Sequence, residues 1–257
     1  MRGARRLIAT LALTLGAAAM APVALAQAIV VRSTGPSAVT YPKGKKLAAG
    51  TSVTLKTGDM VTVLDKAGSR VLRGAGSFTM DSRVLRDRGI IPLLSRSLSS
   101  PQAIRAGAVR GGSSGEAADS PLPSSIWIAD IDRGGKVCVP QGSDLYLWRS
   151  KISARRFTWL GESDGGGTVR LAWPPRTSAI SWPTAILPLI AGRSYRSNDD
   201  GVADKFVDLE VVSLAPDAIP QDADALAALL FERGCAVQFE LLAFALERTS
   251  DEAVGGL

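Results

Sequence analysis

Few residue types in this chain could carry out covalent or metal chemistry. The 257 residues include no histidine and only two cysteines, Cys138 and Cys235. Catalytic units built on histidine and zinc sites that need more than two thiolates are therefore excluded. Residues 111–115 have the G-x-S-x-G spacing of a nucleophile elbow, but that motif requires a strand, a helix and a histidine base. Their Gly/Ser composition is typical of a flexible linker.

Carboxylates are the remaining chemical candidates. A sugar hydrolase needs two carboxylates at a set separation, and four acidic residues would suit that role: Asp130, Asp132, Glu162 and Asp164. Their turn-like surroundings favour solvated turns instead. Residues 198–201 with Asp204 could ligate calcium, but the EF-hand spacing would place Arg196 and Val207 at ligand positions. A hairpin turn is the favoured interpretation of this segment.

The first 26 residues have the pattern of an export signal. Three arginines within the first six residues precede an apolar run over residues 7–19, and Ala24-Leu25-Ala26 has the small-residue pattern of a cleavage site. This order predicts cleavage after Ala26 and a periplasmic or secreted mature protein without a membrane span. The alternative is an uncleaved N-terminal anchor, for which the apolar run is short.

Export changes what the charge and the cysteines imply. The whole chain has 30 basic and 24 acidic residues, and cleavage removes three arginines, which leaves 27 against 24, or about +3. So small an excess gives little reason to expect a nucleic-acid partner. In an oxidising compartment an even pair of cysteines predicts a disulfide between Cys138 and Cys235. Two buried free thiols are the alternative.

Short strands separated by glycine turns predict an all-β domain over residues 27–82. The expected strands lie around Ile29, Val39, Val53, Val61, Val71 and Phe78. In the strand over residues 60–64, the alternation places Val61 and Val63 on one face. Residues 43, 45 and 46 are lysines around Gly44; they lack the pattern of a phosphate-binding loop and indicate a charged hairpin tip.

Residues 44–65, GKKLAAGTSVTLKTGDMVTVLD, followed by GSRVLRGAGSF, resemble the periplasmic β-domain of FecR-like proteins. The resemblance rests on a leucine, a glycine turn, a strand, Gly-Asp, a second strand and a further turn. It covers about 50 residues. In that family the domain senses from the periplasm, while a cytoplasmic segment before a membrane helix controls a sigma factor. The resemblance implies the β-domain alone, because the chain begins with its export signal.

An Arg-rich and then Gly/Ser/Pro-rich stretch predicts a linker over residues 83–124. Its arginines could bind an anionic lipid or glycan, but a solvated segment is favoured. Residues 125–215 contain all five tryptophans and several strand patterns, which predict a β-sandwich of immunoglobulin-like size. The tryptophans are expected in its core, with a sugar-binding platform as the alternative.

The period becomes helical over residues 216–250. Leu226, Leu229 and Leu230 share one face, Gly234 is suited to a helix end, and Leu241, Leu242 and Leu246 continue the pattern after it. This predicts a helical hairpin that caps the sandwich.

The predicted fold class is thus mainly β: a FecR-like domain, a linker and a β-sandwich with a helical hairpin. The expected function is that of an exported, non-catalytic envelope protein that acts in binding, scaffolding or signal sensing. No cofactor is expected, and the partner is an envelope protein or a glycan. The alternative is an envelope carbohydrate hydrolase that uses the carboxylates of the second domain.

Overall fold

The computed structural model describes residues 26–66, 68–80, 123, 125–200, 202 and 205–254. The described chain is mainly β, as the strand patterns predict. The first β-region consists of β1 (Ala26–Thr34), β2 (Lys46–Ala48), β3 (Ser52–Leu55), β4 (Met60–Asp65), β5 (Gly68–Arg73) and β6 (Gly76–Thr79). The predicted signal segment up to residue 25 and most of the predicted linker lie outside the described residues.

The remaining described strands and helices lie after the linker. The second β-region consists of β7 (Ile128–Asp130), β8 (Gly135–Pro140), β9 (Tyr146–Trp148), β10 (Arg156–Glu162), β11 (Thr168–Trp173), β12 (Ala179–Ser181), β13 (Ser194–Asp199) and β14 (Val207–Leu214). The helical hairpin consists of α1 (Ala223–Glu232) and α2 (Ala236–Val254). Within the described ranges, neither helix is long and apolar enough to cross a bilayer.

Strand β4 lies at the centre of the first β-region. The four-stranded sheet has the order β2-β1-β4-β5 with antiparallel neighbours, and β3 pairs with β6 separately. Val61 and Val63 belong to one hydrophobic cluster, whereas Leu64 belongs to another. Both faces of β4 are therefore covered, because successive side chains of a strand point to opposite faces.

The segment around Val39 differs from its prediction as a strand. Pro36–Val39 is a 3-10 helix, and the Val39 side chain is 91% exposed. Gly35, before this turn, has φ 96°, a conformation that glycine adopts without a steric cost. Asp59 Oδ1 accepts the N–H of Ser37 at 2.9 Å. Because this carboxylate satisfies an N–H at the start of the turn, the chain reverses here instead of adding a strand.

Two sheets enclose the core of the second β-region. The five-stranded sheet has the order β11-β10-β13-β14-β8, and the three-stranded sheet has the order β12-β9-β7. The pairs β14–β8 and β7–β9 are parallel. Leu147, Leu160, Trp173 and Tyr195, from four different strands, are fully buried in one shared cluster. Immunoglobulin-like connectivity stays a prediction.

The helical hairpin packs against both β-regions, although the sequence predicts a cap on the second region alone. One hydrophobic cluster joins Ile29 and Leu64 of the first region, Cys138 and Leu214 of the second, and Phe239 of α2. The difference arises because the helical period shows that a face is apolar but not which surface covers it. The two β-regions and the hairpin thus share a core.

Two salt bridges also connect the helical hairpin to both β-regions. Glu240 on α2 accepts Lys43 Nζ of the first β-region at 2.5 Å and Arg133 Nη2 of the second at 2.6 Å. Burial by itself raises the pKa of Glu240, and the hydrogen bonds from Lys43 and Arg133 outweigh that effect and lower it. One helical carboxylate therefore contacts both β-regions.

Gln238, a buried polar side chain of α2, pairs with the edge of β8. Its Oε1 accepts the Cys138 N–H at 2.6 Å, and its Nε2 donates to the Cys138 carbonyl at 2.7 Å. Strand β8 is the last in its sheet, so these backbone groups lack a neighbouring strand. The amide thus satisfies a sheet edge that would otherwise carry unpaired groups inside the core.

We expect Gln238→Leu to destabilise the protein by about 2–5 kcal/mol, because a buried N–H and a buried carbonyl would both lose their partner. Urea unfolding measured by tryptophan fluorescence would give the free-energy change. Gln238→Glu is the companion variant: its ionised carboxylate accepts the Cys138 N–H but repels the Cys138 carbonyl, whereas its protonated form restores a donor, so this variant should become more stable as the pH falls. A leucine variant as stable as the wild type would show that the two hydrogen bonds do not stabilise the edge.

The predicted disulfide is present. Cys138 of β8 and Cys235, between the two helices, are joined with a Cα–Cα distance of 5.8 Å and a sequence separation of 97 residues. Both cysteines are fully buried. The bond ties the hairpin covalently to the edge of the second β-region.

Candidate functional site

A cleft opens at one end of the second β-region. It has a volume of about 600 Å³. Its walls come from the ends of β10, β13 and β14, from the turn after β7, and from the loop between β9 and β10, residues 149–155. Among the described residues, its basic side chains outnumber its acidic ones and belong to Arg149, Lys151, Arg155, Arg156 and Lys205.

Arg149 forms a buried positive charge beneath the cleft. The residue is 1% exposed, its Nε donates to the Thr177 carbonyl at 2.9 Å, and its Nη2 donates to the Pro174 carbonyl at 2.8 Å. The guanidinium also lies 5.4 Å from the centre of the Trp173 ring. Burial and the nearby Arg156 lower the pKa of Arg149. Its hydrogen-bonding partners are neutral carbonyls, so its charge is not cancelled by direct contact.

Arg156 lies beside Arg149 in a different environment. Its Nη1 contacts Asp132 Oδ1 at 2.5 Å, and its Nε contacts Asp199 Oδ1 at 2.6 Å. Burial alone would lower the pKa of Arg156, but the hydrogen bonds to the two carboxylates raise it. These three side chains join β10, β13 and the turn after β7. We interpret these three residues as structural residues that hold the walls of the cleft together.

The other basic side chains of the cleft are accessible to a ligand. Lys151, Arg155 and Lys205 are exposed, and none has a carboxylate within 4.0 Å among the residues that the structure describes. Five basic and two acidic side chains of the described residues line the cleft, a formal excess of three positive charges. A concave surface with unpaired charges of one sign attracts counter-ions and raises their local concentration. The cleft is therefore suited to an anionic ligand.

The carboxylates considered for sugar hydrolysis form two groups, Asp130 with Asp132 near the start of β10 and Glu162 with Asp164 at its end. Asp132 is held by Arg156 at the start of β10, whereas Glu162 at its end pairs with Arg193 at 2.8 Å. The two ends of this strand are about 20 Å apart at the usual rise per residue. The carboxylate pair of a glycosidase is separated by only about 5–10 Å.

The other two acidic candidates also have structural surroundings. Asp130 Oδ1 accepts the N–H groups of Asp132 at 2.9 Å and Arg133 at 3.2 Å, which closes the turn after β7. Burial raises the pKa of Asp130. Asp164 is exposed in the hairpin between β10 and β11.

The oxygen atoms considered for calcium are used in other contacts. Asp199 pairs with Arg156, and Asp200 pairs with Arg170 at 2.5 Å. Gly201 and Asp204 lie outside the described residues. Among the residues that are described, no group of three or more acidic or cysteine side chains is arranged to hold a metal ion.

Two of the three lysines around Gly44 contact the helical hairpin, and the third, Lys45, donates to the Thr40 carbonyl at 2.7 Å. Lys43 pairs with Glu240, and Lys46 pairs with Glu232. Gly44 has φ 85°, and a Cβ there would lie 2.0 Å from the Phe231 ring. This loop is therefore part of the interface between the first β-region and the hairpin. Residues 111–115 and the arginines of the predicted linker lie outside the described residues.

Four tryptophans are core residues, as the sequence predicts. Trp127, Trp148, Trp173 and Trp182 are buried, whereas Trp159 is 38% exposed on the outer face of the five-stranded sheet. Sequence reasoning did not identify the basic cleft, although a signal was present. Residues 149–156, RSKISARR, contain four basic side chains and no acidic one. Comparisons with protein-family models, curated proteins and solved structures found no match for this chain.

Proposed function

We propose that this protein is an exported, non-catalytic binding protein of the cell envelope, and that it holds an anionic ligand in the basic cleft. The observation that carries the proposal is that Lys151, Arg155 and Lys205, in the same cleft as the buried Arg149, have no carboxylate partner among the residues that the structure describes. A charge buried against neutral carbonyls is costly for the free protein. An anion in the cleft would offset part of that cost.

Export is supported by two independent features. The N-terminal segment has the order of a signal peptide, and a disulfide is characteristic of an oxidising compartment. The predicted cleavage after Ala26 would leave Gln27, a residue of β1, as the new N-terminus. We propose a periplasmic or secreted location for the mature protein.

The FecR-like assignment of the first β-region is part of the proposal. The Gly-Asp element of the resemblance has a local structural role: Gly58 adopts φ 85°, and Asp59 accepts the N–H groups of Ser37 and Lys56. Burial alone would raise the pKa of Asp59, and hydrogen bonds from Ser37 and Lys56 lower it overall. Such a turn supports a rigid scaffold, and we assign scaffolding or sensing to this region and ligand binding to the second.

The test is binding of inorganic polyphosphate, a polyanion without sugar rings, to the mature protein. We expect Lys151→Glu/Arg155→Glu to weaken binding at least about tenfold, because two attractive charges become repulsive. The dependence of the dissociation constant on salt should also become shallower, since fewer counter-ions are released. Isothermal titration calorimetry at two salt concentrations would measure both effects.

Arg32→Glu/Arg73→Glu is the matched control. It makes the same change in net charge at two exposed strand residues of the first β-region. We expect this variant to bind polyphosphate within about threefold of the wild type, with the difference due to long-range charge alone. Equal losses in both variants would mean that only net charge matters and would overturn the cleft as the site.

A further inference from the structure

The outer face of β10 presents an aromatic surface next to the cleft. Phe157, Trp159 and Gly161 alternate on this face, while Thr158 and Leu160 point inward and are buried. Trp159 is the one tryptophan of the five with a substantial exposed area. At Gly161 this surface ends, because a Cβ there would lie only 2.8 Å from Thr168 Oγ1.

Contacts with its neighbours hold the Trp159 side chain in one orientation. Its Nε1 donates to Asp200 Oδ1 at 3.1 Å, and Arg170 binds the other oxygen of the same carboxylate. These bonds from Arg170 and Trp159 lower the pKa of Asp200, so its carboxylate stays charged and keeps both partners. The Arg170 guanidinium also lies 4.0 Å from the centre of the Phe157 ring. An aromatic ring fixed in this way loses little further freedom when a ligand binds.

The aromatic surface and the cleft have Asn198 in common. Trp159 of β10 lies directly opposite Asn198 of β13, and Asn198 also lines the cleft. Side chains in such a cross-strand pair are about 5 Å apart at Cβ. One extended ligand could therefore contact the Trp159 ring and the basic side chains of the cleft together.

The two parts of this surface differ in charge. On the outer face Arg170 pairs with Asp200, and Arg196 pairs with Asp208 at 2.8 Å. The aromatic part is thus neutral and offers a flat ring beside polar side chains. The cleft offers unpaired positive charge. A ligand that matches both parts has rings with apolar faces and hydroxyl groups, and also carries anionic groups.

We propose that the ligand is an anionic polysaccharide, with a sugar ring placed on Trp159 and its acidic groups in the cleft. This inference rests on the proposed anion-binding function and names its ligand class. A sugar is favoured over a nucleic acid or a phosphorylated peptide because the amide of Asn198, directly opposite Trp159, can hydrogen-bond to hydroxyl groups beside the ring. The proposal assigns Trp159 to recognition and not to the core.

Three probes separate the contributions of charge and ring. Polygalacturonate has sugar rings with carboxylates, polyphosphate has charge alone, and dextran has neutral rings alone. We expect Trp159→Ala to weaken polygalacturonate binding at least about tenfold, which corresponds to about 1.4 kcal/mol, and to leave polyphosphate binding within twofold. Lys151→Glu/Arg155→Glu should weaken binding of both polyanions, and dextran should bind more weakly than polygalacturonate to the wild type.

Controls keep the outcomes distinguishable. Phe244→Ala removes an exposed aromatic side chain of α2 and should leave polygalacturonate binding unchanged. If Trp159→Ala binds both polyanions like the wild type, the sugar platform is refuted and the cleft retained. If neither polyanion depends on Lys151 and Arg155, the proposed function itself fails. If light scattering shows a dimer that Trp159→Ala dissociates, the surface is an interface between copies of this chain and the polysaccharide proposal is wrong.

Discussion

Replacing Cys138 and Cys235 together with alanine should lower the free energy of unfolding by about 4–5 kcal/mol. The disulfide joins residues 97 positions apart, and in the chain-entropy model a closed loop of this size restricts the unfolded chain by that amount. Domains are typically stable by only about 5–15 kcal/mol. The loss is therefore a large fraction of the total stability. Urea unfolding of the wild type and the variant, both without reductant, would measure it.

The single variant Cys138→Ala is the matched control for this experiment. It breaks the same bond, so its stability should lie within about 1 kcal/mol of the double variant. A loss below about 1 kcal/mol in the double variant would contradict the proposed role of the bond. Alkylation at both thiols of the folded protein, taken directly from the cells that make it, would contradict formation of the bond there.

Truncating Phe239 to alanine should destabilise both β-regions together, by about 3–5 kcal/mol. Phe239 is fully buried in the cluster that joins the two regions, and its ring lies 5.4 Å from that of Phe231. Lys43 Nζ of the first β-region also lies 5.2 Å from the centre of the Phe239 ring. The cavity left by the truncation would weaken the contacts of the hairpin with both sides.

Each region has a separate reporter for this effect. Four of the five tryptophans lie between residues 148 and 182, so their fluorescence reports the second β-region, and replacing Trp127, which packs in the shared cluster, by phenylalanine removes its contribution. Hydrogen exchange of the β4 amides, measured by mass spectrometry, reports the first. We expect the two transitions to shift to lower urea concentration together, and Phe244→Ala, at an exposed position of the same helix, to change stability by less than about 1 kcal/mol.

A shift of only one of the two transitions would contradict this expectation. If the fluorescence transition stays in place while the β4 amides lose protection, the hairpin stabilises the first β-region alone. The two β-regions would then unfold independently of each other, as expected if the linker separates two complete domains. The shared cluster predicts instead that the regions remain associated when the linker is cut.

The candidate site was only partly predictable from the sequence. The sequence shows the run of basic residues from Arg149 to Arg156. It does not show which of them are paired with carboxylates and which are available to a ligand. Arg156 is neutralised by Asp132 and Asp199, which approach it from another turn and another strand. Arg149 is buried against carbonyl groups more than 20 residues away in the chain. Local spacing cannot distinguish these two environments, because both are made by distant segments.

The sequence by itself determined most of the β elements and the existence of the helical hairpin. Alternating β-branched residues and glycine turns are local properties, and they specify strands wherever one face can be buried. The prediction around Val39 was wrong because Asp59, 20 positions further on, binds the turn there. Cysteine parity and the export pattern were enough to predict the disulfide.

Only the tertiary structure decided what the hairpin covers and what Gln238 does. The helical period identifies an apolar face, but the surface that buries it is chosen by the packing of segments about 100–200 residues apart in the chain. Gln238 would be expected on a solvated face, yet it is buried because the edge of β8 supplies both of its hydrogen-bonding partners. A polar side chain is stable inside a core when such partners are present, and their position depends on the whole fold.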